Sequence, residues 1–83
     1  MNCIYKTLDV KTISEMNTSD YFILLEEKDI LRKTNNEYEL TLIDYSKRAI
    51  YQKISDTEIK EFDGNIVESD PDRLVQRVKI LKI

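Results

Sequence analysis

The residues best suited to chemistry lie in one acidic stretch. Positions 56–72 hold seven carboxylates, Asp56, Glu58, Glu61, Asp63, Glu68, Asp70 and Asp72, against Lys60 alone. Carboxylate oxygens are hard donors, so this set could hold Mg²⁺ or Ca²⁺ loosely or attract a basic partner through its field. The spacing is not that of an EF-hand loop, and charge runs in folded domains are mostly solvated surface. We therefore expect no metal and no cofactor. The candidate site is the set Glu58, Glu61, Asp63 and Glu68, which would meet a protein partner with a basic surface. Asp70 and Asp72 are assigned instead to a helix start.

Other chemistries lack their residues. The chain has no histidine, which removes Ser-His-Asp and Cys-His nucleophile systems and every His-ligated zinc site. Cys3 is the one cysteine, so neither an intramolecular disulfide nor a cysteine zinc site can form. Without a His partner, Cys3 reads as a small buried hydrophobe rather than a reactive thiol. Gly64 is the one glycine, too few for a phosphate-cradling loop. An enzyme is not expected. Tyr5, Tyr21, Tyr38, Tyr45 and Tyr51 could stack nucleic-acid bases if several shared an exposed sheet face, but core and rim packing is the commoner use of strand tyrosines. Arg73, Arg77, Lys79 and Lys82 give residues 73–83 a net charge of +4. With a sequence pI near 4.9, against roughly 9 or more for typical nucleic-acid-binding domains, nucleic acid is a secondary expectation.

Something must position these groups. With 83 residues, 41% hydrophobic and 35% charged, residues 1–83 are expected to form a single domain with a modest core. The start of the chain lacks the apolar run of a secretory signal. The longest apolar run, 21–25, is far below the roughly 20 residues needed to cross a bilayer. A reducing cytoplasm is the expected setting, without membrane association.

Along the chain, 4–8 reads as a short strand. Asp9 then caps a brief helix lined by Val10, Ile13 and Met16. Residues 21–27 and 30–34 read as strands, with Asn35 and Asn36 in a tight turn. Segment 37–54 alternates in two apolar runs around Ser46, Lys47 and Arg48, and is expected to be the central hairpin, with Leu42 opposite Tyr51 and Ile43 opposite Ile50. Asp63 and Gly64 form the strongest turn dipeptide, between Ile59 and Phe62 on one side and Ile66 and Val67 on the other, and predict a second hairpin. Ser69, Asp70, Pro71 and Asp72 read as a helix N-terminus, followed by a stripe of Leu74, Val78 and Leu81.

The expected fold class is α+β: an antiparallel meander or small half-open barrel of five or six strands, with a C-terminal helix packed on one face. The expected function is a small non-catalytic intracellular protein-binding module, a regulator or inhibitor that occupies a partner's surface. Its composition is similar to that of phage and mobile-element accessory proteins. A nucleic-acid-binding small barrel using sheet tyrosines and a basic C-terminal helix, or a self-assembling structural subunit, is the alternative. Ile80 and Ile83 fall off the predicted stripe, which suggests a homodimer.

Overall fold

The computed structural model describes residues 4–35 and 37–82. The expectations attached to Cys3, Asn36 and Ile83 lie outside them.

The longest strands are the first and the last. Strand β1 (Ile4–Thr12) and strand β8 (Leu74–Lys82) pair antiparallel, and β8 also pairs with β2 (Tyr21–Leu24). Beyond β2 the sheet continues through β5 (Ile50–Lys53), β6 (Glu58–Glu61) and β7 (Ile66–Glu68), giving the order β1-β8-β2-β5-β6-β7 with every pair antiparallel. Strands β3 (Ile30–Thr34) and β4 (Glu37–Leu40) form a separate hairpin. Three single-turn 3-10 segments, Ile13–Glu15, Glu27–Asp29 and Tyr45–Lys47, complete the elements. Among the described residues there is no α-helix, and none long and apolar enough to cross a membrane.

The expected α+β class is thus overturned, because the C-terminal helix is the interior strand β8. The reason is visible in its side chains. A helix from position 74 would bury one stripe. The strand buries Val75 on one face and Gln76 and Val78 on the other, and its β-branched Val75, Val78 and Ile80 suit the pleat. Ser69, Asp70, Pro71 and Asp72 form a turn instead of a helix cap. There Asp72 N donates to Asp70 Oδ1 at 2.9 Å and Arg73 N to Asp70 O at 3.0 Å.

The brief helix expected after Asp9 is likewise strand. Leu8 and Asp9 occupy a bulge between the pairs Thr7–Val78 and Val10–Gln76, two residues facing the single Arg77. Asp9 accepts from Arg77 Nε at 2.8 Å, which holds its carboxyl below the usual range. The turn comes later, at Ile13, where Thr12 N donates to Glu15 Oε1 at 3.0 Å.

The central hairpin of 37–54 is the third correction. Its first arm pairs backward with β3 and its second arm pairs with β2 and β6, so Leu42 does not face Tyr51 and Ile43 does not face Ile50. Leu42 is fully exposed, while Ile43 is buried. The run between the arms, 41–49, spends its backbone on a 3-10 turn capped by Asp44, whose Oδ1 accepts from Ser46 N.

Two apolar clusters sandwich the sheet. Ile13, Met16, Phe22, Ile59 and Val75 form one, with Tyr51 stacked on Phe22 at 6.0 Å between ring centroids. Ile23, Ile50 and Val78 form the other, joined by Tyr5, Tyr21, Tyr45 and Ile80. Alternation along each strand sends neighbours such as Phe22 and Ile23 to opposite clusters. Each such side chain taken wholly from water contributes about 1.5–3 kcal/mol before entropy is set against it.

Two buried charged groups tie the connections down. Asp29 is 3% exposed and receives both terminal nitrogens of Arg48, at 2.7 and 2.8 Å, while Arg48 Nη1 also reaches Leu24 O at 3.3 Å. The backbone carbonyl of Asp29 accepts from Thr41 N at 2.9 Å, so the pair locks the base of the β3–β4 hairpin to the end of β2. Lys53, 4% exposed, donates to Met16 O at 2.6 Å and lies within reach of Ser14 O and, at 2.9 Å, Asp56 Oδ1. Its ammonium clamps the connection between β1 and β2 beneath the end of β5.

Candidate functional site

The β6–β7 hairpin grows out of β5 at one end of the sheet. Its turn follows from Asp63 and Gly64 as expected: Gly64 sits at φ +101°, a conformation that disfavours side chains. Asp63 Oδ1 accepts from Asn65 N at 3.1 Å, Asp63 Oδ2 from Asn65 Nδ2 at 3.2 Å, and Asn65 O from Glu61 N at 2.7 Å. Ile59 is the anchor, buried in the cluster around Phe22. Its neighbours in sequence, Glu58 and Lys60, therefore project to the other face.

Cross-strand register then brings Glu58 directly opposite Glu68, Ile59 opposite Val67 and Lys60 opposite Ile66. Directly opposed side chains in an antiparallel pair have Cβ atoms roughly 5 Å apart, so Glu58 and Glu68 form a like-charge pair that weakens the hairpin. Glu61 is opposite Tyr51, on the face of Ile59, and Asp63 is at the turn. Of the four candidate residues, the fold brings Glu58 and Glu68 together and separates Glu61 and Asp63 from them. Asp56 and Asp70 have structural partners in Lys53 and in the turn before β8.

Strand β7 is the outer edge of the sheet, and all three of its residues are exposed. Ile66 is 56% exposed, Val67 37% and Phe62, just before the turn, 44%. An edge strand leaves one row of N–H and C=O groups unpaired, able to template a further strand. Apolar side chains, an opposed pair of carboxylates and open backbone groups thus occupy one short hairpin. Among the described residues, no group of three or more Cys, Asp or Glu side chains is arranged to hold a metal.

The alternative nucleic-acid surface is placed differently from its sequence expectation. Tyr5, Tyr21 and Tyr45 pack on the cluster around Val78, with Tyr45 Oη donating to Gln76 Oε1 at 2.5 Å, and Tyr51 is stacked on Phe22. Burial raises the Tyr45 phenol above its usual value. Arg77 is committed to Asp9 and lies 3.8 Å from Asp20, so its charge is raised in pKa and locally matched. Among the described residues no helix carries the four C-terminal cations: Arg73 precedes β8, and Arg77, Lys79 and Lys82 lie on it.

Sequence reasoning missed the Asp29–Arg48 pair, whose members are 19 residues apart in separate turns. Compared with protein-family models, curated proteins and solved structures, the chain matches none of them.

Proposed function

We propose that this protein is a non-catalytic intracellular protein-binding module, a regulator or inhibitor that occupies a partner's surface, and that it does so through the β6–β7 edge. The partner segment is basic and extended and adds to β7 as a further strand. Backbone hydrogen bonds to the open edge supply affinity, and alternate side chains supply specificity. The observation that carries this reading is the Glu58–Glu68 opposition on an edge strand that also exposes Ile66. Opposed carboxylates cost stability in the free protein, and a cation laid between them relieves that cost. An edge kept only from aggregating would be served by a single charge without exposed isoleucine. Glu61 and Asp63, on the other face and at the turn, steer the approach of a basic chain rather than contact the same cation.

A short peptide alternating lysine and valine is the direct probe. At low salt, it should shift the backbone amide resonances of 66–68 and protect them from hydrogen exchange, and both effects should weaken as salt rises. Replacing Glu58, Glu61, Asp63 and Glu68 by Lys should abolish both while the circular dichroism spectrum is retained. Binding unaffected by the four replacements would overturn the proposal.

A further inference from the structure

At the ends of β2 and β5 a cleft of about 340 Å³ is lined by Lys28, Lys47, Arg48 and Arg73 against Glu26 as its one acid. The chain as a whole has more acids than bases, 16 against 13, so gathering four cations here runs against its composition. They come from two 3-10 turns, Lys28 from one and the adjacent Lys47 and Arg48 from the other, and from Arg73 at the approach to β8, so no single sequence run announces all four. The cleft shares no residue with the β6–β7 edge.

The four cations are not equivalent. Arg48 is held rigid by Asp29 and Leu24 O, and forms a wall whose charge is already matched. Lys28 lies 3.3 Å from Glu26 and Lys47 3.9 Å from Asp44, and all four of these side chains are more than half exposed. Exposed pairs of this kind separate readily when a better anion arrives. Arg73 spends its Nε on Leu25 O at 3.3 Å. Its two terminal nitrogens have no acceptor among the described residues. The free edge of that guanidinium suits the two parallel hydrogen bonds of a phosphate group. Leu24, Ala49 and Tyr51 add apolar and aromatic lining beside the charges.

We propose that this cleft binds a small organic molecule carrying a phosphomonoester. The terminal nitrogens of Arg73 take two phosphate oxygens, Lys28 and Lys47 close on the third, and the organic part lies against Leu24 and Tyr51. The cleft's size is at the lower end for a small-molecule site, and its predominantly charged lining suits an anionic head with a small organic part.

Titration of the whole chain with inorganic phosphate and with phenyl phosphate, followed by amide resonances, tests it. Both should perturb the amides of residues 28, 47–49 and 73. Phenyl phosphate should bind at least about threefold more tightly, because its ring finds the apolar lining. Arg73→Gln should weaken binding about tenfold or more, through loss of the charged fork. Lys28→Gln, at an exposed side chain whose loss leaves the fold intact, should weaken it about threefold. Absence of perturbation at low salt, equal affinity of both variants with the parent, or binding only to vesicles of phosphatidic acid and not to phenyl phosphate would overturn it.

Discussion

Replacing Arg48 by Met removes both hydrogen bonds that Asp29 receives from the guanidinium while roughly keeping the side-chain stem. The carboxylate is then left buried with Glu26 N, at 2.8 Å, as its one remaining donor among the described residues. Stranding one member of a buried ion pair costs about 3–5 kcal/mol, a large part of the stability of a domain this small. Acid dependence gives an independent measure. The hydrogen bonds from Arg48 lower the Asp29 carboxyl from 3.8 to about 2, against the opposing push of desolvation. A depressed folded-state value stabilises the protein fully above the unfolded value near 3.8, and the contribution fades as pH falls toward about 2. A shift of this size corresponds to about 2 kcal/mol. In Arg48→Met the hydrogen bonds that depress the Asp29 carboxyl are gone, so it should titrate closer to its ordinary value and the acid loss from this group should shrink. Urea unfolding followed by circular dichroism, from pH 7 down to pH 2, reads both quantities. A destabilisation by Arg48→Met under about 1 kcal/mol at pH 7, or an unchanged acid dependence, would refute the assignment of Asp29 and Arg48 as a coupled buried pair. The double replacement Asp29→Leu with Arg48→Met should recover most of the loss, since no charge is left stranded.

Two further outcomes follow from the backbone and the second buried charge. Gly64→Ala should cost about 1–2 kcal/mol, because φ +101° strains any side chain even though nothing lies within 4 Å of the added methyl. Thermal unfolding of the variant checks this, and an unchanged melting temperature would contradict it. Lys53→Met should cost about 1–3 kcal/mol in urea unfolding, because the buried carbonyl of Met16 loses its close donor. A neutral effect would mean that water replaces the ammonium.

The parts of the fold that could be read from the sequence are those set by local chemistry. Asp63 and Gly64 fix a turn whatever surrounds them, so the β6–β7 hairpin was legible, and the alternation of Glu58, Ile59 and Lys60 around it follows from one buried anchor. Strand β3 was legible for the same reason, bounded by turn residues on both sides. The errors fall where apolar residues fit two periods. Leu74, Val78 and Leu81 make a helical stripe, but Val75, Val78 and Ile80 are β-branched, and the decisive fact, that β8 is flanked by β1 and β2, is a matter of long-range pairing. Segment 37–54 alternates on both sides of a polar break, yet its arms found partners elsewhere, β3 for one and β2 with β6 for the other. The candidate acids were visible as a charge run. That Glu58 and Glu68 would face each other while Glu61 would not depended on the register. The cationic cleft draws on segments well apart in the chain, around Lys28, Lys47 and Arg73, and left no local trace.

The edge proposal is tested most directly by a single replacement with two opposed readouts, Glu68→Lys. Placing a cation opposite Glu58 turns a repulsive cross-strand pair into an attractive one, so unfolding free energy should rise by about 0.2–1 kcal/mol. The same change removes a carboxylate from the surface offered to a basic strand, so affinity for the lysine–valine peptide should fall about tenfold at low salt. Stability that rises while binding falls is the result predicted. Binding that persists at parental affinity in the stabilised variant would contradict the assignment of β7 and its opposed carboxylates as the binding edge.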